Sequence, residues 1–153
     1  MRNQTIAFFN MLLVLSTLVS SVISTSLFAQ TEALVFKQAE VEVGGKTLEV
    51  EFADNWDLRA QGLMGRESMC DDCGMLFDFE YARRVSMWMK NTLIPLDVAF
   101  ITRAGVITDI KQMKPLDLTS VPSSKKVQYA LEMNQGWFGK HGVKEGDKIK
   151  ITK

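Results

Sequence analysis

Three groups of side chains in this sequence could carry chemistry. The first is Cys70-Asp71-Asp72-Cys73, a C-x-x-C formed by the only two cysteines of a 153-residue chain. In an oxidising compartment such a pair forms a disulfide, and the loop it closes is so short that its entropic stabilisation is small. A thioredoxin-type redox role has less support. No β–α–β pattern is read around the pair, and Asp71 and Asp72 oppose the thiolate that redox-active cysteines need. A soft-metal site is the alternative. Met69, Cys70, Cys73 and Met75 offer thiolates and thioethers, the donors that suit copper(I). Methionine is equally a filler of irregular cores, and no other cofactor is implied.

The second group is a pair of isolated carboxylates, Asp97 and Glu132, each set in an apolar run. Convergence on one pocket would give an acid/base pair. Otherwise each would bond to backbone groups or to Lys90, Arg59 or Arg66, as buried carboxylates commonly do. The third group is the segment Met87-Trp88-Met89-Lys90-Asn91-Thr92. Trp88 offers a flat apolar surface with one N–H, and Lys90, Asn91 and Thr92 add donors beside it. That mixture suits a small polar ligand such as a sugar or an organic anion. The competing reading makes Trp88 core and Asn91-Thr92 a turn before Pro95. Taken together, the ligand-site candidates are Met64, Arg66, Met75, Trp88, Lys90, Asn91, Thr92, Asp97 and Glu132. One histidine, His141, and no Gly-x-Ser-x-Gly leave serine or cysteine hydrolase chemistry without support, and no phosphate loop or dinucleotide fingerprint is present.

Elements must position these groups. Val35, Ala39, Val41 and Val43, then Leu48, Val50 and Phe52, alternate on either side of Gly44-Gly45, which predicts a hairpin. Asp54 is placed to cap a helix from Asn55 to about Met64, ended by Gly65. Glu67 to Cys73 reads as a loop. Strands are predicted over 74–79, 85–90, 96–102, 106–113, 127–133 and 148–152, with a polar loop from Lys114 to Lys125 and a single helical turn from Trp137 to His141. In the 85–90 stretch Val85, Met87 and Met89 share one face and Trp88 takes the other. Seven or eight short strands with glycine turns predict a mainly β domain, a compact antiparallel barrel or two-layer sandwich with one or two short helices.

The length fits one domain over residues 30–153. Eighteen Lys plus Arg balance eighteen Asp plus Glu, so there is no electrostatic footprint for nucleic acid. Residues 1–29 have the parts of a secretory signal: Arg2, an apolar run from Ile6 to Ile23, and a small residue, Ala29, at the cut. This predicts a periplasmic or extracellular protein. The apolar run is long enough that an uncleaved membrane anchor is the alternative. The expected partner is a small molecule or a protein, and the expected state a monomer.

Five segments occur in a recognisable order: Gly62-Leu63-Met64-Gly65-Arg66, Gly74-Met75-Leu76-Phe77, Met87 to Thr92, Ile94-Pro95-Leu96-Asp97, and Leu131-Glu132 through Gly136. With the closing Gly146-Asp147 they resemble the domain of unknown function 192 family over roughly Val41 to Ile151. The resemblance implies a compact, mainly β domain, often secreted in bacteria. It transfers no reaction and no catalytic residues. The Cys70 to Cys73 insert is not part of the pattern.

Overall fold

The structure, a computed structural model, describes residues 34–153; the expected leader or anchor over residues 1–29 lies outside the described residues. Eleven elements follow one another: β1 Lys37–Val43, β2 Lys46–Ala53, α1 Trp56–Gln61, β3 Gly74–Arg83, β4 Ser86–Met87, β5 Leu96–Ile101, β6 Ile107–Met113, β7 Val121–Pro122, β8 Val127–Asn134, α2 Trp137–Lys140 and β9 Lys150–Thr152. Seven strands form one sheet in the order β6-β5-β8-β3-β2-β1-β9, and β4 pairs with β7 apart from it. The mainly β domain with short helices is therefore what forms.

The sheet departs from the sequence-based expectation in two ways. The sheet is mixed, because β2 and β3 pair in parallel. Residues 54–73 carry α1 across the sheet and return the chain in its original direction, the connection that parallel pairing requires. The sheet also stops short of a barrel. Its two ends meet at one point, where Val106 bridges Lys148 and the Ile107 and Ile149 amides donate to the carbonyls of Asp147 and Gly105 at 2.9 and 2.8 Å.

Each central strand is buried on both faces. Alternate residues enter two cores: Ala99, Ile101, Leu131 and Met133 join β1, β2 and α2 on the inner side. Leu96, Val98, Phe100 and Ala130 join Leu58, Met87 and Met89 on the outer side. Alternation places Val127 with Tyr129, yet Val127 enters the outer core and Tyr129 the inner one, next to a shift in the β3–β8 register between Asp78 and Arg83. Asn55, not Asp54, caps α1, its side chain accepting from the Leu58 amide at 3.0 Å. The helix is also shorter than expected. It ends at Gly62, whose φ of 48° is a conformation that side-chain-bearing residues rarely adopt.

Candidate functional site

The two loops that follow α1 and β4 come together over the outer core. The Gly65 amide donates to the Asn91 carbonyl at 2.8 Å, joining the 62–65 turn to the 88–92 turn. Asn91 has a φ of 53°, which an asparagine tolerates better than most residues. Between the joined turns and the sheet lies a narrow cleft. Met64, Met87, Trp88 and Thr92 stand around it, α1 contributes Arg59 and Gln61, and Phe77 and Glu132 complete the lining. Its water-sized space is about 20 Å³, room for one ordered water or one small chemical group.

Glu132 is the unusual member. It lies on β8, flanked by Met75 of β3 and Val98 of β5, and is 3% exposed. Among the described residues no group hydrogen-bonds to its carboxyl. Burial alone therefore pushes its pKa up to about 8, and the group is mainly neutral at pH 7. Among the described residues the fully enclosed side-chain atom without a partner is Asp97 Oδ1, not a Glu132 oxygen. What marks Glu132 is a strongly raised pKa at the wall of a cleft, the pattern of functional sites.

Four of the residues singled out from sequence meet here: Met64, Trp88, Thr92 and Glu132. Met75 is fully buried directly opposite Glu132. The others go elsewhere. Arg66 turns toward Glu51, with which it forms an ion pair. Lys90 lies on the exposed side of Trp88, its Nζ 5.4 Å from the ring centroid. Asn91 contributes its backbone. Asp97 pairs with Met133 while Glu132 pairs with Val98, so the two carboxylates point to opposite faces of the sheet. They cannot share a substrate. Asp97 Oδ2 instead accepts from the Gly136 amide at 2.8 Å and fixes the turn before α2. Its pKa is raised by burial and held back by that bond. Sequence reasoning missed Gln61 and Phe77, and it named Arg59 only as a possible partner of a buried carboxylate, whereas Arg59 bonds Asp54, Asp78 and Glu80. The Gly62-to-Arg66 and Met87-to-Thr92 segments were the available signal, since both flank the cleft.

The model of the DUF192 family, described as an uncharacterised conserved group, matches residues 39–151. The chain belongs to this family. No curated protein matches it significantly. Solved structures share the fold of this DUF192 chain, two of them at 30% identity or more. One, from Sinorhizobium meliloti 1021, is described as a candidate transcription regulator; it is 39% identical, has a TM-score of 0.73, and the match covers 78% of this chain and 97% of that one. The other, a protein of unknown function from Novosphingobium aromaticivorans DSM 12444, is 30% identical with a TM-score of 0.70, covering 79% and 89%.

The cysteine pair lies outside the cleft of this DUF192 domain. Cys70 and Cys73 form a disulfide, with Cα atoms 5.1 Å apart. It sits in the connector of the β2–α1–β3 crossover, so a β–α–β context exists that the sequence did not reveal. Polar bonds dock the loop on the sheet end: Asn134 Nδ2 donates to the Cys70 carbonyl at 2.8 Å, and Asp72 accepts from Trp137 Nε1 at 2.9 Å and from Lys46 Nζ at 2.8 Å. These two donors, Lys46 first, hold the Asp72 pKa below its usual value. In this form the pair offers disulfide sulfur rather than thiolate. Of the other two expected soft donors, Met75 points into the outer core and Met69 packs against that core, partly buried. Among the described residues no cluster of three or more His, Cys, Asp or Glu is arranged to hold a metal ion.

Proposed function

We propose that this chain is a small-ligand-binding domain and that the cleft over Glu132 is its binding site. The observation that carries the reading is Glu132, a nearly buried residue that lines the cleft and takes no hydrogen bond on its carboxyl from the described residues. A ligand group entering there would give that carboxyl the hydrogen bond it lacks, which is the arrangement that makes a few polar groups specific within apolar walls. Met64 and Trp88 supply the walls, and Thr92 adds a second polar contact.

A thermal-shift screen of small polar compounds on the purified protein tests the reading, run beside Glu132→Gln and Trp88→Ala. A compound that stabilises the parent and neither variant supports it. Ligands that stabilise all three proteins equally would place the site elsewhere. The same reading puts the domain outside the cytoplasm. It draws on the apolar run that ends near Ala29 and on the Cys70–Cys73 disulfide, which suits an oxidising compartment. Mass spectrometry of the processed protein should find a chain beginning at Gln30; an intact N-terminus on protein recovered from the cytoplasm would sink that part.

A further inference from the structure

We infer that two surface turns of this domain form a docking surface for a lipid bilayer that carries anionic headgroups. The inference stands on exposed residues and does not need the cleft to bind a ligand. Trp88 and Leu93 lie on the turn after β4, and Leu116 and Leu118 on the segment after β6. They are 51%, 46%, 57% and 66% exposed. Two backbone bonds join these segments: the Met89 amide donates to the Asp117 carbonyl at 2.9 Å, and the Leu116 amide donates to the Thr92 carbonyl at 3.0 Å. Each bond lies within one residue of an exposed apolar side chain on both segments, so the four side chains stand along one seam. Leu116 has a φ of 61°, a conformation that a leucine rarely adopts. The fold therefore holds an apolar side chain in water at a strained position, where an asparagine would be easier on both counts. Strain of that kind points to a use for the side chain it presents.

Size and charge select the occupant. The four exposures leave about 400 Å² of mostly apolar surface, the scale of a functional patch on an ordinary monomer. A stable complex with a second copy or another protein buries roughly 800 Å² on each partner, so the patch is too small to hold one. A bilayer sets no such requirement. It takes protruding side chains singly, and tryptophan and leucine settle between headgroups and acyl chains. Two lysines complete the match. Lys90 and Lys114 are exposed and lie on the same two segments, with the Lys90 Nζ 5.4 Å from the Trp88 ring centroid. The one carboxylate within residues 88–93 and 114–118 is that of Asp117, whose Oδ1 accepts from the Thr119 amide at 2.8 Å. Ammonium groups beside an apolar patch are placed to meet lipid phosphates.

Flotation of the purified protein with large unilamellar vesicles tests this, phosphatidylcholine alone against phosphatidylcholine with roughly one phosphatidylglycerol in three. The protein should float with the mixed vesicles and far less with the neutral ones, and added salt should release it. Any part of residues 1–29 still attached is common to parent and variants, so differences between them report the patch. Replacing Lys90 and Lys114 together by glutamine should weaken binding about 25-fold, about fivefold for each lysine. Leu116→Asn supplies a residue suited to positive φ. It should weaken binding about tenfold while the urea midpoint holds or rises, which separates a lost contact from a lost fold. In a Trp56→Phe background, which removes the other exposed tryptophan, acyl-chain-brominated lipid should quench Trp88 fluorescence. Absence from both kinds of vesicle, flotation that neither the lysine nor the Leu116 variant changes, or a Trp88 that brominated lipid leaves unquenched overturns the proposal. A concentration-dependent dimer in sedimentation velocity that Leu116→Asn dissolves, with no flotation of the parent, assigns the patch to a second copy and overturns it as well.

Discussion

If Glu132 is held neutral by burial, it must leave a mark on stability. Its pKa is about 8 in the folded protein against 4.5 for an unperturbed glutamate. Between those values the native state binds more protons than the unfolded chain, so this group's contribution is fully favourable below about pH 4.5, falls as pH rises, and levels off above about 8. The slope approaches about 1.4 kcal/mol per pH unit, and integration from pH 5 to pH 8 gives a loss of about 3–4 kcal/mol. In Glu132→Gln that loss is absent, because the amide does not titrate. Urea unfolding followed by tryptophan fluorescence, with both proteins measured across this range, isolates the effect. Groups common to both proteins, Asp97 among them, cancel in the difference. The variant should gain about 3–4 kcal/mol on the parent between pH 5 and pH 8. Profiles that stay parallel within about 1 kcal/mol, less than one pKa unit, would show that the carboxyl is not held neutral and would remove the premise of the site.

Three further outcomes are expected. Asp97→Ala removes the acceptor of the Gly136 amide and should cost about 1–3 kcal/mol in urea unfolding, while leaving ligand binding in the cleft unchanged; loss of binding would contradict its position on the opposite face. A Cβ at Gly74 would overlap Met133 Sδ and the Glu132 carbonyl, so Gly74→Ala should destabilise by about 1–3 kcal/mol, and a neutral result would mean that the β3–β8 pairing relaxes more easily than its geometry suggests. Replacing Cys70 and Cys73 by serine opens a loop of only a few residues and should cost about 2 kcal/mol, with the β circular-dichroism signal retained; a fully unfolded variant would assign the disulfide a much larger part in folding.

Most strand positions were legible because alternation is a local property, although the 85–90 stretch forms only the two-residue β4 and the expected 114–125 loop contains β7. The faces of β1, β2 and the 85–89 stretch follow from their own sequences, and Val85, Met87 and Met89 are buried while Trp88 is half-exposed, as their spacing implies. The β–α–β crossover was not legible. The α1 segment is short, and nothing local says that β3 returns parallel to β2 rather than antiparallel. The cap was misplaced for a similar reason: Asp54 and Asn55 are both good caps, and only the observed helix start chooses between them.

The sequence by itself determined the family, the mainly β class, the Cys70–Cys73 pair, and the importance of the Gly62-to-Arg66 and Met87-to-Thr92 segments. The tertiary structure decided which candidates share a site. Met64, Trp88, Thr92 and Glu132 share one because a Gly65-to-Asn91 bond closes two turns over one face of the sheet. Asp97 and Glu132 are separated because the β5–β8 register sets Asp97 across from Met133, one residue beyond Glu132. Successive side chains on a strand take opposite faces. A shift of one residue in that pairing would have put both carboxylates on the same side, and the register is set by contacts between segments far apart in the chain.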